Sequence, residues 1–240
     1  MDKQLIITGI LAASFLVLFG TAEILYHKMK IKAELTRKFV HVGTGALTLL
    51  FPVLLDNHWY VLFLCASFAG ILLLSLRFNL LKSINAIDRE SHGSISYPVA
   101  IYGCYLFFSQ HRDADPGGNG AYLFFYLPVL MLAVCDPVAA LFGKRWPLGP
   151  YRVSGGNKSM LGSAMFFVSA VILCTALGYA FSGTRTEGFI LLSVIISFAG
   201  TIAEALSGKG LDNLTIPGVG VLVMYIMYDV AHLFHMYPMN

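Results

Sequence analysis

Residues 135–163 open with Cys135-Asp136-Pro137-Val138-Ala139-Ala140-Leu141-Phe142-Gly143-Lys144-Arg145-Trp146 and close with Gly155-Gly156-Asn157-Lys158-Ser159-Met160-Leu161-Gly162-Ser163. Asp136 sits inside an apolar run, roughly 121–143, that is long enough to cross a bilayer. A charge in such a run costs roughly 2.5–3.5 kcal/mol on insertion scales. It therefore needs a partner, a cavity or a chemical task. Gly143, Lys144 and Arg145 follow it at once, and Lys158 comes soon after. An acid able to hold a metal ion, followed by glycine and cations, is what an anionic phosphate substrate requires.

The rest of the chain agrees with a membrane setting. Of its 240 residues, 57% are hydrophobic and only 12% are charged. The mean hydropathy is +0.73. These values exclude an ordinary soluble domain and predict an all-α, polytopic integral-membrane bundle. Eight apolar segments approach spanning length, at about 5–26, 39–55, 58–76, 95–109, 121–143, 161–182, 188–207 and 217–235. The second and fourth are short, so seven spans is the competing count. Neither repeat nor linker divides the chain, which reads as one catalytic domain over 1–240.

The cations give the orientation. Thirteen of the sixteen Lys and Arg residues fall in four connections, at 27–38, 77–94, 144–160 and 208–216. With eight spans, all four connections lie on one face, expected to be cytoplasmic. Both termini then lie outside. The first apolar run, Leu5 to Ile24, has its cations after it (Lys28, Lys30, Lys32), which favours a retained span over a cleaved signal. Cys65, Cys104, Cys135 and Cys174 all fall in predicted spans without a CxxC pair, and buried thiols are expected.

The polar residues near span ends gather on the cation-rich face. Arg37, Lys38 and His41 open the second span, and Arg37 and His41, four apart, share a helix face. Arg89, Ser91, His92, Gly93 and Tyr97 lead into the fourth. Asp136 belongs to the fifth and Glu204 to the end of the seventh, while Asp212 and Asn213 are expected in the loop before the eighth. The chemistry that fits is a nucleotide phosphate plus a divalent metal. Mg²⁺ takes one or two carboxylates and the substrate phosphates, and Asp136, Asp212 and Glu204 can supply carboxylates. Lys and Arg screen a transferring phosphoryl group. Gly143 and the Gly155-Gly156 pair allow backbone amides close to phosphate oxygens.

Bland readings stand beside these. Asp136 can serve a structural ion pair, the Ala140/Gly143 face can be helix packing, and Lys28, Lys30 and Lys32 can simply set topology. His232 and His235 read as interfacial. Intramembrane acids also suit a transporter, although their grouping at one face rather than at midplane argues against it. Walker, protein-kinase and dinucleotide signatures are all missing; the residue before Lys158 is Asn157, not glycine.

Five pieces in order resemble the polyprenol kinase family, which includes the dolichol, phytol and farnesol kinases and a CTP-dependent diacylglycerol kinase. They are Arg37-Lys38-Phe39-Val40-His41; His92-Gly93-Ser94 with Tyr97-Pro98; Asp136 to Lys144; Lys158-Ser159 with Gly162-Ser163; and Ala203-Glu204-Ala205-Leu206-Ser207 followed by Asp212-Asn213-Leu214-Thr215-Ile216-Pro217. The last run is the most specific. The resemblance implies transfer of the γ-phosphate of CTP, or of ATP, to a lipid alcohol with a divalent cation such as Mg²⁺. The expected partners are therefore the lipid alcohol, the nucleotide and membrane lipid, with no nucleic acid. By position, Asp136 and Asp212 would act at the metal and triphosphate. Glu204 or Asp212 would orient or deprotonate the alcohol. Arg37, His41, Gly143, Lys144, Lys158, Ser159 and Asn213 would bind nucleotide or phosphate. Asp-x-x-Ala-x-x-x-Gly-Lys is also similar to CDP-diacylglycerol synthases, which transfer a cytidylyl group to phosphatidate, but the Pro-Gly-His-Gly-Gly run typical of them is missing. One departure from the kinase pattern is Leu161, where the family usually carries Glu.

Overall fold

The computed structural model describes residues 3–78, 80–85, 93–114, 119–153, 156–182 and 187–233. Its helices are α1 (Lys3–His27), α2 (Ala33–Thr48), α3 (Phe51–Leu54), α4 (His58–Arg77), α5 (Lys82–Asn85), α6 (Gly93–Ala114), α7 (Leu123–Leu130), α8 (Asp136–Arg145), α9 (Met160–Ser182), α10 (Glu187–Leu206) and α11 (Asp212–Leu233). A 3₁₀ turn (Gly120–Tyr122) precedes α7, and a π-helical segment (Met131–Cys135) joins α7 to α8. Among the described residues, five helical segments are long and apolar enough to cross a membrane, including the composite one from Gly120 to Arg145. The chain is thus a polytopic α-helical membrane protein.

Three features differ from the sequence expectation. The connection 144–160 contains an antiparallel hairpin, β1 (Pro150–Val153) with β2 (Gly156–Ser159), pairing Tyr151 with Lys158 and Arg152 with Asn157. The second apolar stretch begins earlier, at Ala33, so Arg37 and His41 lie inside α2. It breaks after Thr48 and resumes in α3, with Pro52 near the start of that short helix. Asp212 and Asn213 form the first turn of α11 rather than a loop.

Two apolar clusters build the core. The first centres on Phe15, Phe19, Phe68, Tyr105 and Phe108, from α1, α4 and α6. The second centres on Leu127, Met131, Leu132, Phe166, Ile196 and Ile216, from the composite segment and α9–α11. α7 is apolar all round because it feeds both, with Phe125 in one cluster and Phe124 in the other. All four cysteines are free and buried.

Hydrogen bonds tie each end of the bundle. At one end Thr36 Oγ1 donates to the Ser83 carbonyl (2.6 Å), and Ser83 N donates to Glu23 Oε1 (2.9 Å), joining α2, α5 and α1. At the other, Gln4 Nε2 donates to Asp56 Oδ2 (2.6 Å), and Arg112 Nη2 donates to the Asp56 carbonyl (2.7 Å).

Candidate active site

The π-helical segment explains how Asp136 is aimed. Asp136 N–H donates to the Met131 carbonyl, five residues back. The Leu132 carbonyl thereby loses its α-helical donor. Its π-register donor would be residue 137, and Pro137 has no N–H. The freed Leu132 carbonyl interacts with the His41 imidazole from α2. His41 Nε2 is nevertheless buried with no hydrogen-bond partner of good geometry. α2 and the π segment meet closely nearby, since a Cβ on Gly45 would stand 3.5 Å from that of Ala133.

Asp136 opens α8 on the wall of a cavity of about 1220 Å³. Its charge is felt most by Asp212 and Glu204 among the acids, and by Lys158 and Arg37 among the cations. Asp212 also acts electrostatically on His41. Asp212 Oδ1 accepts from Asn213 N (3.0 Å), and Asn213 Nδ2 donates to the Gly93 carbonyl (3.3 Å), which ties the start of α11 to that of α6. Ser207 Oγ and Thr215 Oγ1 share a 2.5 Å hydrogen bond that closes the α10–α11 connection.

Lys158 and Glu204 form the central ion pair. Lys158 Nζ stands 2.7 Å from Glu204 Oε1 and also donates to the Glu204 backbone carbonyl. Ser163 Oγ donates to Glu204 Oε2 (3.3 Å) and shares a 2.7 Å hydrogen bond with the Tyr151 hydroxyl. The hairpin, α9 and α10 are thus joined through one carboxylate. Ser159 Oγ accepts from Gly162 N (3.1 Å) and so caps α9. Its neighbour across the helix crossing is Gly143, where a Cβ would meet Ser159 Oγ at 2.9 Å. Gly143 and Gly162 are therefore small because α8 and α9 touch there.

All ten sequence-derived site residues line this cavity: Arg37, His41, Asp136, Gly143, Lys144, Lys158, Ser159, Glu204, Asp212 and Asn213. Arg89, Ser91, His92, Gly155 and His235 lie outside the described residues, as does the side chain of His232. Sequence reasoning did not single out Arg152, Asn157 or Lys209, which line it too. Lys209 has a left-handed backbone (φ 53°) beside Gly210 (φ 81°). The signal in the sequence was a cation set between two glycines, Gly208 and Gly210.

The cavity has two characters. Cations, carboxylates and the starts of α6, α9 and α11 supply one part, and helix N-termini favour anions. Apolar side chains such as Phe19, Leu72 and Leu141 supply the other. Among the described residues, no three His, Cys, Asp or Glu side chains gather closely enough to hold a metal by themselves. Asp136 and Asp212 line the same cavity and interact electrostatically.

No protein-family model matches the chain, and no solved structure matches it. A curated relative is 33% identical over 219 residues, covering 90% of this chain and 89% of its own length. That relative is the phytol kinase of Synechocystis sp..

Proposed function

Since the chain belongs to the polyprenol and phytol kinase family, we propose that it phosphorylates an isoprenoid alcohol, with CTP as the phosphoryl donor. The observation that carries this reading is a single cavity that joins a carboxylate pair and several cations to an apolar lining. A triphosphate requires the first part and a lipid alcohol the second.

The triphosphate occupies the polar part. Lys144, Arg37 and the starts of α9 and α11 screen its charge. Asp136 and Asp212 would hold a bound Mg²⁺, which would supply charge neutralisation to the triphosphate. The alcohol oxygen bonds to the γ-phosphorus, and the bond from that phosphorus to the β–γ bridging oxygen breaks. The nucleoside diphosphate leaves with the bond's electrons. Glu204 is engaged by Lys158 and Ser163, so its role is to position Lys158 against the phosphates. Asp212 is then the carboxylate that receives the hydroxyl proton, on the oxygen turned away from the cation. Transfer is mainly a matter of placement and charge screening, which suits a site built from five helices and a hairpin.

The test uses purified protein, Mg²⁺ and CTP labelled at the α or the γ phosphorus. Isoprenoid alcohols, diacylglycerol and phosphatidate are offered in parallel, with ATP as the competing donor. γ-Label in an isoprenyl phosphate is the expected result. α-Label in a phosphatidate product would overturn it.

A further inference from the structure

We propose that the lipid alcohol reaches the carboxylates through the cleft between α2 and α8, hydroxyl first, with Val42 and Leu141 as its gateposts. This rests on the kinase reading above and assigns the route and tail-binding surface within it.

Gly45 of α2 meets Ala133 while Arg37, two turns earlier in α2, interacts with Asp136, so α2 and the segment that leads into α8 run in opposite directions. They are pinned together where Gly45 meets Ala133, just before α8 begins. From that apex towards the cation-rich end, α2 presents Val42 and then Lys38, while α8 presents Pro137, Leu141 and then Lys144. All five line the cavity. Val42 is 60% exposed and Leu141 66% exposed. Side chains that both line the cavity and face outward mark its wall as open there. In a membrane-spanning region that outside is acyl chain, not water.

The chemistry along the cleft is graded. Val42 and Leu141 offer apolar surface at the depth of lipid tails. Lys38 lies one helical turn from Val42, and Lys144 nearly one turn from Leu141, at headgroup level. At the inner end stands His41, whose side chain lines the cavity beside the carboxylates. Asp136, next to Pro137, faces the same space. An isoprenoid alcohol has this sequence of chemistry: a hydroxyl, then an apolar chain that remains in the bilayer.

A second apolar arm runs behind α2 to Phe19, Leu72, Leu76 and Ile84. Phe19 and Ile84 are buried there and Leu76 is 43% exposed, against 60% and 66% for Val42 and Leu141, so the α2–α8 cleft is the more exposed of the two.

The test introduces Val42→Trp and Leu141→Trp separately, with Leu16→Trp on the lipid face of α1 as control. KM for a long-chain isoprenoid alcohol should rise about tenfold in the first two, because an indole at either gatepost narrows the opening that the tail must occupy. In Val42→Trp, KM for CTP and turnover of a short water-soluble prenol should stay within about twofold of the parent, because neither needs the cleft. In parallel, Val42→Cys should react with an alkyl methanethiosulfonate and be protected by the long-chain alcohol, whereas Leu16→Cys should not be protected. This arm needs only a folded protein. An unmoved long-chain KM in both Trp variants, absence of protection at Val42→Cys, or the same selective KM rise in Leu76→Trp would overturn the assigned route while leaving the kinase reading intact. A parent protein that phosphorylates no alcohol would overturn both.

Discussion

Two carboxylates and one ion pair carry the proposed chemistry, and they respond differently to substitution. Asp136→Asn and Asp212→Asn keep the shape and remove the charge, so each should cut kcat at least about a hundredfold, as loss of a single transition-state contact does. Membrane insertion and detergent-solubilised Tm should stay near the parent values. Full activity in either variant would remove that residue from the mechanism. Lys158 and Glu204 behave as a unit, with side chains 18% and 9% exposed. Removing one partner leaves a largely buried charge unpaired, which costs about 3 kcal/mol where burial is this deep. Glu204→Gln should therefore lower Tm, and Lys158→Met combined with Glu204→Gln should recover much of the loss. Activity should remain low in the double variant, because the phosphates have lost their cation. Recovery of both would make the pair purely structural. Charges in an apolar sequence are conspicuous, which is why Asp136, Lys158, Glu204 and Asp212 could be picked out before any fold was known. Their pairing could not. Lys158 and Glu204 lie on different elements, 46 positions apart, and the replacement of the expected acid by Leu161 gave no hint that α10 supplies the carboxylate.

At the level of elements, hydropathy located the long helices other than α2 to within five residues but was blind to their irregularities. The π-helical turn at Met131–Cys135 leaves no mark on an average taken over a whole span, although Pro137 does point to a local defect. The hairpin was missed for a different reason. Its strands are four residues each, polar and half-exposed, so they have no apolar alternation, and only the Gly155-Gly156 pair resembles a hairpin turn. These irregular elements hold the site, and two substitutions test that link. Pro137→Ala restores an N–H and lets the regular α-helical ladder compete with the π turn, which would re-aim Asp136. Tm should hold or rise while kcat falls about tenfold, since small misplacements of catalytic groups are costly. Unchanged kcat would mean that Asp136 keeps its aim without the π turn. Gly143→Ala puts a methyl 2.9 Å from Ser159 Oγ. It should displace the α9 cap and cost about 1–3 kcal/mol, read as a lower Tm, with KM for CTP rising because Lys158 directly precedes that cap.

Across the whole molecule, two independent patterns divide the bundle into the same two ends. The chain places thirteen of its sixteen Lys and Arg residues in four connections. Separately, Thr36, Ser83 and Glu23 bond together at one end, and Gln4, Asp56 and Arg112 at the other. The cavity belongs to the first end, where Arg37, Lys144, Lys158 and Lys209 converge. Grouping of this kind was legible from the sequence because charge in membrane loops is sorted by side. The surrounding cavity was not, because its walls come from helix crossings at small residues such as Gly45, Gly143 and Gly162. A cytoplasmic active site follows if the positive end faces inward, and labelling decides it. In a background with Cys65, Cys104, Cys135 and Cys174 replaced, Leu148→Cys reports the hairpin end and Asn119→Cys the opposite end; both positions are exposed. In intact cells a membrane-impermeant maleimide should modify Asn119→Cys and spare Leu148→Cys, and inside-out vesicles should reverse the pattern. The opposite result would put the cavity, and its supply of CTP, on the wrong side of the membrane for a cytoplasmic nucleotide and would sink the proposed donor along with the orientation.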